Sequence, residues 1–123
     1  MKTTLGQQRA KFCLEQLEKL DDKIRPDFKP LSAGLPAMIL QNGFGQSLAF
    51  LLAKGREKHL AAFRIITAWL IERKIIAADR QSEILKQISN MPQEKYLQAQ
   101  KETLAMLEWL KRYANAALFE GKS

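Results

Sequence analysis

The sequence predicts an all-α fold, a compact single-domain bundle of about six helices. Apolar residues recur at spacings of three and four through most of the chain, which is the period of an amphipathic helix. No segment alternates polar and β-branched residues as a half-buried strand does, and long stretches rich in Leu, Ala, Gln, Lys and Glu favour helix. At 123 residues the chain has the size of one domain, so residues 1–123 are assigned to a single helical domain.

The first helix is predicted to begin after a cap at Thr3 or Thr4 and to end where Pro26 follows Arg25. A short connector is expected from Asp27 to Leu31. The apolar positions of this helix keep a period close to 3.6 residues: Leu5, Phe12, Cys13, Leu17, Leu20 and Ile24. Cys13 is the single cysteine of the chain, so it forms no internal disulfide. We expect its side chain to be a small buried hydrophobe, and the protein to lie in a reducing cytosol.

The next segment, from Pro30 to Ala53, contains no charged side chain. Prolines, glycines and amides interrupt it too often for a membrane span, so it is predicted to form two short helices in the core. Pro36 lies in the first turn of one, Gly43 ends it, and Gly55 ends the other. The apolar spacing gives two inward sets: Leu35, Met38 and Ile39, then Leu48, Leu51 and Leu52. The alternative is an ordinary helical hairpin with no special role.

A longer fourth helix is predicted from about Arg56 to Ile76, with Trp69 at the edge of its apolar stripe. The stripe consists of Leu60, Phe63, Ile66, Thr67, Leu70 and Ile71. A fifth helix follows the N-cap Asp79, with Ile84, Leu85 and Ile88 on one side.

The last and longest helix is predicted to begin at the cap Asn90, with Pro92 in its first turn. Its stripe ends near Phe119. The members alternate by three and four: Tyr96, Ala99, Thr103, Leu107, Leu110, Ala114 and Ala117.

Groups suited to catalysis are sparse, so the chain is predicted not to be an enzyme and to need no cofactor. His59, the single histidine, is interpreted as a phosphate contact or as an exposed residue at the start of a helix. One His and one Cys do not make a zinc site, and the adjacent pair Asp21 and Asp22 is typical of a solvated helix end. Gly43-Phe44-Gly45 lacks the third glycine and the strand of a dinucleotide-binding turn and is interpreted as a turn between helices.

The charge pattern is the stronger indication of function. The net charge is +7, and residues 1–74 hold 13 lysines and arginines against 7 acids, whereas residues 75–123 hold 7 against 6. Such an excess favours nucleic acid, anionic lipid or acidic proteins as partners. The candidate phosphate contacts lie at the start of the fourth helix and near the C-terminus: Lys54, Arg56, Lys58, Arg64, Lys111 and Arg112. The alternative for each is a solvated surface residue, and Arg112 can also pack on Trp109 or pair with Glu108.

Two blocks of the sequence resemble the small helical subunit of the type III-B CRISPR Cmr effector complex. Leu35-Pro36-Ala37-Met38-Ile39, Asn42-Gly43-Phe44-Gly45-Gln46-Ser47-Leu48-Ala49-Phe50-Leu51 and Lys54-Gly55 resemble that family's LPxMI...NGLGQTLAFL...KG motif. Glu102-Thr103-Leu104 and Glu108-Trp109-Leu110-Lys111-Arg112-Tyr113-Ala114 resemble its second block, EAL...WLKRFA. The chain departs from the family's motif at two positions, with Phe44 where the family usually has leucine and Ser47 where it usually has threonine. We expect neither difference to change the packing.

The resemblance implies a non-catalytic helical subunit, present in several copies along the groove where guide RNA pairs with target RNA. Its implied partners are the other Cmr subunits, copies of itself, guide RNA and target RNA. Lys54, Lys111 and Arg112 lie in the matched blocks, whereas Arg56, Lys58 and Arg64 are candidates by charge alone. We therefore expect a cytoplasmic RNA-binding subunit that does not contact membranes.

Three other functions stay open at this stage. A helical adaptor that binds only protein would use the neutral segment as its interface. A helix-turn-helix reader of DNA is disfavoured, because the turn at Gly43 leads into a hydrophobic helix without side chains that read base edges. An enzyme is the least favoured.

Overall fold

The computed structural model describes residues 2–116, and within that range the chain folds into six α-helices without a strand. The predicted all-α class is confirmed. The helices are α1 (Leu5–Lys19), α2 (Arg25–Asn42), α3 (Phe44–Lys54), α4 (Glu57–Glu72), α5 (Gln81–Asn90) and α6 (Gln93–Ala114).

Helix α1 begins as predicted but ends six residues earlier than expected. Thr4 and Gln7 form a capping box, in which each side chain bonds the backbone of the other. The helix ends at Lys19, and Pro26 occupies the first turn of α2 instead of terminating α1. The prediction was wrong because a first-turn proline has no N–H to lose, so proline starts a helix as readily as it stops one.

The predicted connector from Asp27 to Leu31 is also wrong, since it lies inside α2. That helix continues through Pro30 and Pro36, so Pro36 is an interior residue and not a first-turn residue. Interior prolines remove backbone hydrogen bonds. We attribute the persistence of α2 to burial of one face, which includes Phe28, Leu35 and Ile39.

The turn between α2 and α3 is confirmed at Gly43, which has φ +90° and donates its N–H to Ile39. The free N–H groups at the start of α3 bond to side chains of α6. Phe44 N–H donates to Gln100 Oε1 at 3.2 Å, and Gly45 N–H donates to the Tyr96 hydroxyl at 2.8 Å. The glycine-rich motif therefore locks the start of α3 onto α6.

Helix α4 lies at the centre of the bundle, against α2, α3 and α6. Trp69, expected at the edge of its stripe, is fully buried, whereas Ile71, expected inside, is exposed. The indole of Trp69 lies 5.0 Å from the ring of Phe12, and its Nε1 donates to Glu102 Oε1 at 3.0 Å. Because α4 packs against several helices, more of its circumference is buried than a single apolar stripe predicts.

Helix α4 ends earlier than predicted, and helices α5 and α6 have N-caps other than the predicted ones. Helix α4 ends at Glu72, and the N-cap of α5 is Arg80 and not Asp79. Asn90 belongs to α5 and Pro92 is the N-cap of α6, so the predicted cap at Asn90 is wrong.

The stripe of α6 is confirmed for its buried members, which are Ala99, Thr103, Leu107, Leu110 and Ala114. Ala117 and Phe119, at its predicted end, lie outside the described residues. Cys13 is fully buried as expected, with its Sγ 3.5 Å from the carbonyl oxygen of Met106.

The helix directions define two ends of the bundle. Arg9 contacts Glu102 and Cys13 contacts Met106, so α1 and α6 run parallel. Helix α4 runs antiparallel to α1, since Trp69 meets Phe12 while residues 64–65 lie beside residues 16–20. We call the end where α1, α3 and α6 finish and α2 and α4 begin the Gly55 end, and the opposite one the Gly43 end.

Candidate nucleic-acid interface

The junction between α3 and α4 holds three of the six predicted phosphate contacts. Gly55 adopts a left-handed conformation, with φ 65° and ψ 5°, and its N–H donates to Leu51. This conformation ends α3 and sets the extended Arg56 as the N-cap of α4. Lys54 and Arg56 are exposed and Lys58 is half-buried. The Lys54 Nζ lies 5.6 Å from the centre of the Phe50 ring.

The N-terminus of α4 is open toward solvent beside these cations. Within residues 2–116, no side chain makes a capping hydrogen bond to its first turn. Free helix N–H groups carry partial positive charge and suit a phosphate. Glu57 in that turn and Asp27 of α2 oppose an anion, because both line a depression of about 300 Å³ together with Arg56 and Lys58. Sequence reasoning missed Asp27 at this site, because it placed Asp27 in a connector and not in the first turn of α2.

His59 does not occupy either position considered for it. It is only 7% exposed, so the expectation of an exposed residue is wrong, and its buried ring is not available to a phosphate either. Its ring lies 6.0 Å from that of Phe50, and within the described residues its Nδ1 has no hydrogen-bond partner. Burial lowers the pKa of His59, and three neighbouring cations lower it further: Lys58, Lys54 and Arg56. The imidazole is therefore neutral at pH 7.

Arg64 lies two turns further along α4, on a different side of the helix. It is exposed and lines a depression of about 220 Å³ with Gln16 and Lys19 of α1. Arg56 and Lys58 thus lie on the α2 side of α4, whereas Arg64 lies on its α1 side. Lys19 adds a cation beside Arg64 that the sequence did not single out.

Lys111 and Arg112 lie in the last turn of α6. Lys111 Nζ is 3.8 Å from Glu108 Oε2, an exposed pair of small energetic weight. Arg112 lines a depression of about 310 Å³ together with Glu108 and Trp109. The half-buried Trp109 ring lies 5.7 Å from that of Tyr113, so this part of α6 combines cations with aromatic rings. That combination suits stacking against an unpaired base.

The fold places all six residues toward the Gly55 end. Because α1 and α6 are parallel and α4 is antiparallel to both, the end of α6 and the start of α4 lie at the same end of the bundle. Arg25 fixes this end, because its guanidinium donates to the carbonyl groups of Leu17, Glu18 and Leu20 at 3.1–3.2 Å. Asp22, which was predicted to lie at a solvated helix end, forms an ion pair with the Arg25 guanidinium at 3.1 Å.

The described residues contain neither a metal-binding group nor a membrane-spanning helix. Between residues 2 and 116, no three or more His, Cys, Asp or Glu side chains are placed to hold a metal ion. No helix of that part of the chain is long and apolar enough to cross a membrane.

Comparison with known proteins indicates a family. Residues 5–117 match the family model described as CRISPR-associated protein (Cas_Cmr5). A relative from Thermus thermophilus, named CRISPR system Cmr subunit Cmr5, is 30% identical over 99 residues, which cover 78% of this chain and 79% of that protein. A relative of the same name from Thermotoga maritima is 30% identical over 118 residues, which cover 94% of this chain and 85% of that protein.

A solved structure has the same fold. The X-ray crystal structure of a CRISPR-associated Cmr5 family protein from Thermus thermophilus matches with a TM-score of 0.75 and 26% identity. The match covers 92% of this chain and 96% of that one.

Proposed function

This chain belongs to the CRISPR-associated Cas_Cmr5 family, and from that premise we propose that it is the non-catalytic small subunit of a type III-B Cmr ribonucleoprotein effector. In this role it stacks with copies of itself and with other Cmr subunits in the cytoplasm. It contacts guide and target RNA through the cations of the Gly55 end: Lys54, Arg56, Lys58, Arg64, Lys111 and Arg112.

The observation that carries the RNA proposal is the placement of these cations toward one end of the bundle. They come from three separate parts of the sequence, and Lys54, Arg56 and Lys58 lie beside the open N-terminus of α4. Lysine and arginine side chains with free helix N–H groups hold a sugar-phosphate backbone without reading its sequence. A subunit that follows a guide of variable sequence needs this kind of contact.

The acids at the same end set the expected strength of binding. Asp27, Glu57 and Glu108 lie among the cations and reduce the local positive potential. The isolated chain should therefore bind RNA weakly and in a strongly salt-dependent way. Assembly of several copies along one RNA raises the effective concentration of each contact, so the complex should bind tightly.

Charge reversal in the reconstituted complex tests the RNA proposal. The variant Lys54→Glu, Arg56→Glu, Lys58→Glu should leave assembly intact and weaken binding of target RNA, with a shallower dependence of affinity on salt. The matched control reverses three exposed lysines outside the Gly55 end: Lys2, Lys11 and Lys101. Equal RNA affinity in the two variants would show that the basic run at the start of α4 does not contact RNA.

Affinity purification of the tagged chain from its native host tests membership of the complex separately. Cmr-type subunits and short repeat-derived guide RNAs should be recovered with it. Recovery of unrelated proteins without RNA would remove the CRISPR proposal and leave the adaptor.

One observation favours the adaptor as a second candidate. The neutral segment is only partly buried: 8 of its 24 residues are buried, whereas Leu40 is 70% exposed and Phe50 is 38% exposed. Large exposed apolar side chains suit a protein contact. If Leu40→Ser abolished assembly while the charge reversal left RNA binding unchanged, a protein adaptor without direct nucleic-acid contact would be the better description.

A further inference from the structure

A groove lies at the Gly43 end, between the loop after α4, helix α5 and the start of α6. It consists of two adjoining depressions of about 720 and 310 Å³, which share Ala77, Gln87 and Lys95 as lining residues. We call it the lysine groove. Its cations are Lys74, Lys86 and Lys95, and apolar side chains that include Ile71 and Met91 line it between them.

The walls of the groove are held in place by hydrogen bonds. Gln87 Oε1 accepts from the backbone N–H groups of Ala77 and Ala78, at 3.0 and 3.1 Å. The loop before them is tied to α4, because Ile75 N–H donates to the carbonyl of Leu70 at 2.9 Å. The groove is thus a formed feature of the fold, with its loop fastened to α4 and α5.

Lys74 adopts a backbone conformation that is unfavourable for its residue type. Its φ is +60°, in the left-handed region where glycine or asparagine is less strained. A glycine there would fit the turn better but would remove a cation from the groove. Residues in sparsely populated backbone conformations of this kind cluster at ligand-binding sites.

The charge of the groove is positive and poorly neutralised. Glu83 is the acid among its lining residues, and it lies 3.8 Å from Lys86 in a pair whose side chains are 45% and 72% exposed. Such a pair is weak, so Lys86 is free to turn to another anion.

The residue types in the groove favour a protein over a nucleic acid. Among the described residues that line it there is neither an arginine, which would grip a phosphate with two hydrogen bonds, nor an aromatic ring, on which a base would stack. A phosphate backbone would also leave the apolar lining uncovered. Ile71 is 36% exposed there and offers contact area to an apolar side chain.

We propose that the lysine groove docks an acidic segment of a partner protein, whose carboxylates lie against Lys74, Lys86 and Lys95 and whose apolar side chains pack on Ile71 and Met91. Both features of the segment follow from complementarity with the lining. The proposal does not rest on the RNA contacts, because the two surfaces lie at opposite ends of the bundle and share no residue.

Fluorescence anisotropy with the purified chain tests the docking. The probes are a labelled glutamate peptide with leucine at every third and fourth position, the same peptide with serine in place of leucine, and a labelled oligouridine. The variant Lys74→Glu, Lys86→Glu, Lys95→Glu should weaken binding of the leucine peptide by roughly tenfold or more. The reversal of Lys2, Lys11 and Lys101 should leave it unchanged.

Two further measurements separate docking from general charge and from loss of folding. The serine peptide should bind more weakly than the leucine peptide if the apolar lining takes part. Lys74→Gly should weaken peptide binding without lowering the melting temperature, because it removes a cation while relieving the backbone. Equal peptide affinity in both triple variants would overturn the proposal. So would loss of oligouridine binding alone, which would make the groove a phosphate site.

Discussion

The Arg9–Glu102–Trp69 cluster provides the sharpest test of what holds the bundle together. Arg9 bonds both carboxylate oxygens of Glu102, at 2.7 and 2.9 Å, and the indole of Trp69 donates to the same carboxylate at 3.0 Å. The side chains of Arg9 and Glu102 are 19% and 12% exposed. The three residues join α1, α4 and α6.

Glu102→Gln keeps the shape of the side chain and removes its charge. Breaking a buried ion pair by removing one partner costs about 3–5 kcal/mol, and a hydrogen bond to a charged group contributes about 1.5–3 kcal/mol. Because Arg9 retains some solvent contact and the glutamine oxygen still accepts from Trp69, we expect a loss of about 2 kcal/mol. With a urea m-value of about 2 kcal/mol/M, the unfolding midpoint should fall by roughly 1 M.

Urea unfolding followed by tryptophan fluorescence and circular dichroism measures this loss. The matched control is Glu108→Gln, which removes an exposed pair with Lys111 in the same helix and should change stability by less than about 0.5 kcal/mol. If Glu102→Gln lost no more than Glu108→Gln, the cluster would not stabilise the bundle and the reasoning would be wrong.

The same carboxylate gives the protein a predicted acid dependence. Its hydrogen bonds to Arg9 hold the pKa of Glu102 below its ordinary value of 4.5, although burial acts in the opposite direction. The unfolded state therefore takes up the proton at higher pH than the folded state does. The stabilisation is complete above the ordinary pKa and is lost as pH falls below 4.5 through the folded-state pKa. In Glu102→Gln this part of the pH dependence should be absent.

The effects of three substitutions and the reactivity of one thiol are predicted from backbone geometry and burial. Gly43→Ala should lower the free energy of unfolding by at least about 1 kcal/mol, because a φ of +90° strains any side chain. Gly34→Ala, inside α2 with open space around it, should raise that free energy by up to about 1 kcal/mol. Thermal unfolding of the two variants compares these effects. Lys74→Gly should leave stability unchanged or raise it by up to about 1 kcal/mol, as chemical unfolding would show. Cys13 should resist a thiol reagent in the folded protein and react on unfolding, since burial raises the pKa of its thiol to about 12; reaction at the rate of a free thiol without urea would contradict this.

Much of the fold is predictable from interactions between residues that are close together in the sequence. Gly43 and Gly55 end their helices because both backbones take a positive φ, which a glycine adopts without strain. Thr4, one of the two cap residues predicted for α1, caps the helix together with Gln7 three residues later. These features depend on residues within one turn of each other, so periodicity and turn chemistry are sufficient to find them.

The errors arose where a residue serves two opposite roles. Pro26 suits the end of one helix and the start of the next, and the buried face of α2, which supports its two interior prolines, is visible only after packing. Trp69 is buried because α1 and α6 cover it, and an amphipathic pattern says nothing about how many neighbours a helix has. His59 is buried for the same reason, since its ring packs against Phe50 of α3.

By itself the sequence determined the helical class, the central glycine turns, the positive charge and the two blocks by which the family resemblance was found, because these depend on neighbours along the chain. Which of those charges lie close together depends on how the helices pack. Helix direction brings Lys54, Arg64 and Lys111 toward one end, where Asp27 lies beside Arg56 and Lys58, while Lys74 and Lys95 line a groove at the other. Charge acts through space over several ångströms, and distances between residues far apart in the chain are set by packing rather than by sequence order.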